Sequence, residues 1–392
     1  MTAPGGRPDP LVERMRPYRS SIFAEMSAAA VRTGAINLGQ GFPDSDPPAV
    51  VVDAAVEALR SGHHQYPPGA GIPELRHAVA RHQLRRYGLE VDPEDGVQIT
   101  MGASEALAAA VLAFCGPGDE VVVLEPYFDL YAAVVALAGA TLRTVTLRPP
   151  GYTVDPDELR AAVGPRTRLV VVNTPHNPTG HVATLSELEV LAEVCCDRDV
   201  LVVTDEVYEH LTFDDHRHVP LASLPGMFER TVTISSAGKT CSATGWKVGW
   251  ASGPAELVQS VRAVKQHLTY SGGTPFQHAI AAVLDDVEEV VADLRAALEH
   301  QRDLLCDGLE SIGLEVFRPD GTYFVTADVA PLGAEDGLTF CRELPERAGV
   351  AAIPTQVFYA DPDDGRTLVR FACCKRPEVL GDAVERLRVA FR

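Results

Sequence analysis

Lys239 is the residue whose surroundings best suit covalent chemistry. It lies in the segment Ser235-Ser-Ala-Gly-Lys-Thr-Cys-Ser-Ala-Thr-Gly-Trp-Lys-Val-Gly249, directly after an apolar run. Because its neighbours are small, the backbone and a bulky ligand can come close together there. A lysine amine in such a place can form an imine with an aldehyde. On spacing alone, a surface lysine in a glycine-rich turn is the simpler interpretation.

Two polar residues follow another apolar run. Asp205 ends Val200-Leu-Val-Val-Thr-Asp205, and Tyr208 lies three residues further on. Open α/β sheets bind their ligands at the carboxyl ends of strands. A carboxylate there can hold a protonated pyridine nitrogen, and the tyrosine could reach an oxygen of the same ring. Asp205 could equally be a helix cap.

An anion site is predicted where a strand ending in Gln98-Ile-Thr100 leads into Met101-Gly-Ala-Ser-Glu-Ala106 and a helix. Free N–H groups and the helix dipole favour a negative charge at such a start. Ser104 and Ser236 could add hydroxyl groups, and Lys247 could add a positive charge. A turn of small residues before a helix is also common without any ligand.

Two further strand ends carry candidate ligand contacts. Asn177 lies in Asn173-Thr-Pro-His-Asn-Pro-Thr-Gly180, where the prolines make a rigid platform for its amide. Phe128, in Glu125-Pro-Tyr-Phe-Asp-Leu-Tyr131, could stack on a flat ring. An ordinary Pro/Asn turn and a core aromatic are the alternatives.

Arg370 is a charged residue inside the apolar run Leu368-Val-Arg-Phe371. Burying an arginine is costly unless it finds an anion. Its planar fork suits the carboxylate of an amino acid. An internal salt bridge would explain the same pattern, and the sequence leaves both interpretations open.

The elements that must position these residues alternate between helix and short apolar run from about residue 47 to 270. Continuous β-branched runs such as those at 168–173 and 200–205 predict strands of a mainly parallel sheet covered on both faces. The runs are Gly96–Met101, Glu120–Leu124, Leu142–Leu147, Arg168–Asn173, Val200–Asp205 and Thr231–Ser235. Thr184 and Glu187 form a capping box that predicts a helix start.

A second, smaller domain is predicted after a long helical pattern over 276–310. A strand at 323–329, a helix near 337–348 and a strand at 367–373 indicate an α+β arrangement. We expect residues 1–46 to form an N-terminal arm and part of this small domain, 47–285 the large domain, and 286–392 the small C-terminal domain.

The composition limits the function classes. The 392 residues carry a formal charge of −20, which argues against nucleic acid and anionic membrane as partners. No segment is typical of a signal peptide or a membrane span. The eight cysteines lack metal-like spacing, so we expect buried free thiols and a cytoplasmic location.

The order of these residues along the chain resembles that of fold-type I enzymes dependent on pyridoxal 5′-phosphate. Residues around Lys239 resemble the class I aminotransferase signature. Two segments, NLGQGFPD (37–44) and SSAGKTCSATGWKVGW (235–250), resemble the kynurenine/glutamine aminotransferase branch. This branch includes cysteine S-conjugate β-lyases. Actinobacterial succinyl-diaminopimelate aminotransferases are similar at SIFAEMS (21–27), HQYPPG (64–69) and PHNPTG (175–180). The resemblance covers essentially the whole chain after residue 16.

The resemblance implies an α/β fold with a seven-stranded-type sheet, an aminotransferase activity and pyridoxal 5′-phosphate held as a Schiff base on Lys239. Asp205 would be the pyridine-nitrogen partner, and Tyr208 and Asn177 would donate to the ring oxygen. The other implied contacts fall into three groups. Near the phosphate they are Gly102, Ala103, Ser104, Ser236 and Lys247, and on the ring Phe128. At the substrate they are Gly41, Arg370 and again Asn177.

Tyr66 would reach the phosphate of a neighbouring subunit, which implies a homodimer with shared sites. The chain departs from the family pattern at two places. Cys241 stands where many relatives carry an aromatic, and the segment Gln266-His-Leu-Thr-Tyr-Ser271 differs in a region that lines the partner's pocket in relatives. These departures leave the substrate unidentified. The substrates implied are an L-amino acid and a 2-oxo acid. The alternative is β-elimination from cysteine S-conjugates on the same scaffold. A related class of transcription factors would need a DNA-binding domain, for which about 36 residues before NLGQG leave no room.

Overall fold

The computed structural model describes residues 9–392, and thirteen strands lie within that range. They are β1 (Ile36–Asn37), β2 (Val97–Met101), β3 (Glu120–Glu125), β4 (Thr141–Thr146), β5 (Thr167–Asn173), β6 (Leu201–Asp205), β7 (Thr231–Ser236), β8 (Val248–Ser252), β9 (Glu315–Phe317), β10 (Phe324–Asp328), β11 (Val350–Ala351), β12 (Ile353–Pro354) and β13 (Leu368–Ala372).

Seven of these strands form the main sheet, in the order β2-β8-β7-β6-β5-β3-β4. All neighbouring pairs are parallel except the two that involve β8, which runs antiparallel to both β2 and β7. Each of the six strands predicted in this region is present, with ends shifted by one residue at most. The α/β fold class is therefore confirmed.

Strand β8 was not predicted, because its sequence continues the glycine-rich turn that follows Lys239. Its place is set by long-range pairing, in which Gly249 lies opposite both Thr100 and Ser236. A Cβ atom on Gly249 would lie 2.5 Å from the carbonyl carbon of Gly102, so no larger residue fits there. This close approach joins the Lys239 turn to the predicted anion site.

Thirteen α-helices surround the sheets in the described part of the chain. They are α1 (Ile22–Thr33), α2 (Ala49–Arg60), α3 (Pro73–Tyr87), α4 (Ala103–Phe114), α5 (Leu130–Ala138), α6 (Pro156–Ala162), α7 (Leu185–Asp197), α8 (Ala237–Thr240), α9 (Ala255–Leu268), α10 (Thr274–Val283), α11 (Val287–Glu310), α12 (Gly337–Arg347) and α13 (Pro377–Ala390). The predicted capping box, in which the side chains of Thr184 and Glu187 each accept from the other's backbone N–H, opens α7.

The main sheet is apolar on both faces. Alternate residues of β3 and β5 enter different cores, with Val122 and Val170 in one and Val121 and Val171 in the other. This division explains why these strands are continuously apolar, since parallel strands buried on both faces have no solvent side.

The second unit contains the antiparallel sheet β12-β13-β10-β9 and the parallel pair β1–β11. Its predicted strands and helix are confirmed within two residues. Pairing of Ile36 with Val350 joins the N-terminal segment to the C-terminal part of the chain. No helix in residues 9–392 has both the length and the apolar character needed to cross a membrane.

The prediction of one continuous helix over 276–310 was wrong. Helix α10 ends at Val283, a 3-10 turn spans Leu284–Asp286, and α11 then begins. The apolar residues of α11 divide between two cores. Val287 and Val291 pack with the main sheet, whereas Leu298 and Leu305 pack with the second unit. Helix α11 therefore connects the two units through its own buried face.

Candidate active site

A cavity of about 300 Å³ brings together twelve of the thirteen predicted site residues. Its size is within the range that holds a small organic ligand. The twelve are Gly41, Gly102, Ala103, Ser104, Phe128, Asn177, Asp205, Tyr208, Ser236, Lys239, Lys247 and Arg370. Tyr66 lies outside the cavity of this chain.

Lys239 lies in α8, a single helical turn that directly follows β7. Its amine donates to the hydroxyl of Tyr323 at 2.7 Å and approaches the carbonyl of Gly41 at 3.5 Å. The Tyr323 hydroxyl in turn donates to the same carbonyl at 2.7 Å. Burial lowers the pKa of Lys239 to about 8, so about a tenth of the amine is neutral at pH 7, far more than for an ordinary lysine. A neutral amine is the form that reacts with an aldehyde.

Asp205 ends β6, and no helix begins there, which removes the capping alternative. Its Oδ2 accepts a hydrogen bond from the hydroxyl of Tyr131 at 2.7 Å. Burial raises the pKa of Asp205 to about 6, although the bond from Tyr131 opposes this shift. The backbone N–H of Val207 also donates to its Oδ1 at 3.4 Å. A buried carboxylate whose pKa stays raised despite these bonds is suited to a cationic partner in the cavity.

The predicted anion site lies where β2 meets α4. Gly102 adopts a left-handed φ of 73° immediately before the helix, which favours glycine. A Cβ atom there would lie 3.1 Å from Nζ of Lys247, so the ammonium group sits against the turn. Ala103 and Ser104 form the first turn of α4, where backbone N–H groups are free to bind an anion.

Arg370 is buried, with 2% of its surface exposed, yet no carboxylate within residues 9–392 forms an ion pair with it. Its Nη1 donates to Oδ1 of Asn177 and its Nη2 to the carbonyl of Gly39, each at 2.9 Å. Its Nε has no hydrogen-bond partner among the described residues. The internal salt bridge left open by the sequence is therefore wrong. The guanidinium remains charged, because burial lowers its pKa only to about 10.

Aromatic rings form much of the remaining wall. Phe128 lines the cavity and meets Tyr131 edge to face, with ring centroids 6.0 Å apart. Phe23 and Phe324 also line it, and the Arg370 guanidinium carbon lies 5.1 Å and 4.0 Å from their ring centroids. Cation–π contacts of this kind partly replace hydration of the guanidinium.

Three of these contacts were missed by sequence reasoning. Tyr323 holds the Lys239 amine, Tyr131 binds Asp205, and Phe23 reaches the cavity from α1. Tyr131 lies in the first turn of α5, and its contact with Asp205 joins residues 74 positions apart, so no local pattern indicates it. Tyr323 and Phe23 are distant in sequence from the residues they approach, so their positions depend on the tertiary fold.

Tyr66 is 83% exposed and does not touch the cavity. Its ring meets that of Tyr270 edge to face, with centroids 6.1 Å apart, and Tyr270 is itself 50% exposed. Buried Lys265 donates to the backbone carbonyls of both Gly69 and Tyr270, which ties the two segments into one surface.

The sequence model described as Aminotransferase class I and II matches residues 33–387. The chain belongs to this family. It is an aminotransferase, and its cofactor is pyridoxal 5′-phosphate. The cavity fits this cofactor, since it offers a lysine amine, a buried carboxylate, an anion-binding helix start with a lysine, and an aromatic wall.

Several relatives resemble the aminotransferase over nearly their whole length. The probable N-succinyldiaminopimelate aminotransferase of Mycobacterium tuberculosis is 52% identical over 389 residues, covering 96% of this chain and 98% of the relative. A solved structure of the N-succinyldiaminopimelate aminotransferase from Mycobacterium tuberculosis has a TM-score of 0.95, over 97% of this chain and 100% of that one. The methionine aminotransferase of Escherichia coli is 39% identical, covering 94% of this chain and 95% of the relative.

Proposed function

We propose that the aminotransferase uses Lys239 as its Schiff-base residue and Arg370 as the group that binds the carboxylate of an L-amino acid. The observation that carries this proposal is the state of Arg370, a buried guanidinium without a carboxylate partner in the described chain, lining the same cavity as the Lys239 amine. A buried charge of this kind is costly unless a ligand supplies the anion.

Around the cofactor, we propose that Lys247, Gly102, Ala103, Ser104 and Ser236 bind the phosphate. The proposal rests on the free helix start and the ammonium group beside it. Asp205 would face the ring nitrogen, and Phe128 would stack on the ring.

For the ring oxygen we propose Tyr208 and Asn177 as donors. Because Oδ1 of Asn177 already accepts from Arg370, its Nδ2 is the atom free to donate to the cofactor. The same side chain would therefore link the cofactor to the residue that binds the substrate carboxylate.

The proposed chemistry of the chain is proton movement by Lys239. When bound, the cofactor supplies an aldehyde carbon and a ring that withdraws electrons from the substrate's α-carbon. Nζ of Lys239 removes the proton from that α-carbon and later returns a proton one carbon away. Its lowered pKa suits this task, since an amine must be neutral to accept a proton. Arg370 fixes the carboxylate while Lys239 acts.

We propose that the two active sites are completed in a homodimer, with Tyr66 reaching the partner subunit's phosphate site. Support comes from a ring that is 83% exposed on a loop tied to the Tyr270 segment. The segment Gln266–Tyr270 is exposed throughout, as are several apolar residues of α2, including Val50 and Leu59. A large apolar interface would cover such a surface.

We further propose the segment division 1–46, 47–285 and 286–392, which is supported by the β1–β11 pairing and by the helix interruption at Leu284–Asp286. Residues 1–8 of the first segment lie outside the described residues. A cytoplasmic location is proposed from the eight free cysteines, of which seven are buried.

Among substrates, we propose N-succinyldiaminopimelate as the first candidate, with methionine and kynurenine next, because relatives named for these compounds are 52%, 39% and 34–38% identical to the chain. The test is a panel of these acids with purified holoenzyme, following the half-reaction spectrum. Cysteine S-conjugates in the same panel, with pyruvate and ammonia measured, would detect β-elimination. If none of the amino acids changes the half-reaction spectrum, the proposal is contradicted.

A further inference from the structure

A buried cluster of metal-ligand side chains lies outside the cavity just described. His82 comes from α3, and Glu209 and His210 come from the turn that follows β6. Their side chains are almost fully buried, with relative exposures of 4%, 1% and 2%. This burial distinguishes the cluster from the groups of exposed acidic residues that are common on protein surfaces. No step of the proposed reaction uses these three residues.

The three candidate ligand atoms have the separations that a small dication requires. Nε2 of His82 lies 3.2 Å from Nε2 of His210, and Oε2 of Glu209 lies 4.0 Å and 3.9 Å from these two nitrogens. The nearest point equidistant from all three atoms lies in their plane, about 2.2 Å from each, at the long end of the roughly 2.0–2.2 Å of zinc–nitrogen and zinc–carboxylate bonds.

Neighbouring groups orient the ligand atoms. Nδ1 of His210 lies 2.9 Å from a carboxylate oxygen of Glu288, which can only accept. The proton of this ring is therefore on Nδ1, and the lone pair of Nε2 points into the cluster. Carboxylates commonly orient metal-binding histidines in this way. Arg86 forms an ion pair with Glu288 and balances its charge.

Glu209 is held just as firmly. The hydroxyl of Tyr87 donates to its Oε2 at 2.6 Å, and the hydroxyl of Ser235 donates to its Oε1. Both bonds favour the carboxylate form, and Oε2 retains a lone pair for a cation. The acceptor atoms Nε2 of His210 and Oε2 of Glu209 thus converge on the position that Nε2 of His82 completes.

We propose that His82, Glu209 and His210 bind a divalent transition-metal ion of the zinc class. Two imidazole nitrogens and one carboxylate oxygen suit zinc, and three protein ligands leave one coordination position for water. The ion connects α3 to the segment that carries Asp205 and Tyr208. It therefore stabilises the position of two residues that line the cavity. A network in which His82 simply donates to His210 is the competing arrangement.

The experiment measures zinc in untagged holoenzyme expressed in zinc-supplemented medium, by mass spectrometry of the metal after gel filtration. We expect one equivalent per chain in the wild type and in His77→Gln, and nearly none in His82→Gln. His77 is the matched control, because it lies on the same helix and its side chain is 47% exposed. Zinc absent from the wild type, or retained by His82→Gln, overturns the proposal.

A second measurement uses the wild type alone, in case His82→Gln does not fold. Holoenzyme reconstituted with Co²⁺ in place of zinc should show the intense visible bands of a four-coordinate site, and added Zn²⁺ should abolish them. Thermal unfolding with and without a chelator should show a lower midpoint once the ion is removed. A cobalt-treated holoenzyme whose visible spectrum matches that of the untreated holoenzyme identifies the cluster as a hydrogen-bonded network and overturns the proposal.

Discussion

The amine of Lys239 donates a hydrogen bond to the hydroxyl of Tyr323, with Nζ and the oxygen 2.7 Å apart. Tyr323 lies just before β10 in the second unit, whereas Lys239 follows a strand of the main sheet. The contact therefore ties the reactive amine to a residue of the second unit. Since the tyrosine hydroxyl also donates to the Gly41 carbonyl, its own orientation is determined.

Replacing Tyr323 by phenylalanine should slow turnover. Loss of one hydrogen bond to the Lys239 amine, worth about 1 kcal/mol, should lower kcat roughly fivefold with little change in KM. Steady-state kinetics test this. Tyr359→Phe is a matched control, because that buried hydroxyl has no partner among the described residues. Equal effects of the two variants would show that Tyr323 acts only through packing.

Borohydride reduction of the holoenzyme should attach the cofactor to Lys239. The chain contains only four lysines, so a peptide map distinguishes Lys239 from Lys247, Lys265 and Lys375. Lys239→Arg should bind the cofactor without the covalent bond and lose turnover, because its guanidinium cannot form the imine. An adduct on any other lysine would falsify the assignment.

The acylation rate of Lys239 in cofactor-free enzyme should rise with pH around a midpoint of about 8, since only the neutral amine reacts. Burial disfavours the ammonium form, which lowers the pKa from its ordinary value of 10.5. Acetic anhydride labelling of the Lys239 peptide, quantified by mass spectrometry, gives the profile. In urea-unfolded protein, the midpoint for the same peptide should return to the ordinary value. Identical folded and unfolded profiles would contradict the effect of burial.

Arg370→Ala should weaken amino-acid substrates by roughly 2–4 kcal/mol, because one charge-assisted bidentate contact is lost. Cofactor affinity should change much less. Arg370→Lys keeps the charge without the planar fork, so its affinity for amino acids should lie between those of the wild type and Arg370→Ala. Half-reaction titrations measure both ligands. If amines that lack the carboxylate react with the wild type as well as amino acids do, Arg370 does not have this role.

Mixing two inactive variants, Tyr66→Ala and Lys239→Ala, should restore part of the activity. In a heterodimer with shared sites, one site carries both changes and the other carries none. Activity is assayed after subunit exchange has been verified by mass. Tyr66→Ala must itself be strongly impaired for the result to count. No recovery under these conditions would show that Tyr66 serves only its own chain.

The amino-acid sequence by itself determined six of the seven strands of the main sheet and most of the residues that meet in the cavity. Strands buried on both faces must be continuously apolar, and the carboxyl ends of parallel strands lie at one edge. The sequence therefore places Asp205 and Asn177 at the same edge of the sheet, and its small residues mark the turn before α4. These are local signals, which depend on residues within a few positions of each other.

Contacts between distant segments were decided only by the tertiary structure. Whether Arg370 met a carboxylate or Asn177 depended on how β13 faced the loop after β5, and both outcomes suit the same local sequence. Tyr323 reaches Lys239 across 84 residues, and His82 reaches His210 across 128. Strand β8 forms because β2 and β7 offer it partners on both sides. Periodicity carries no information on such pairings, since it reports which face of an element is buried but not which side chain lies opposite.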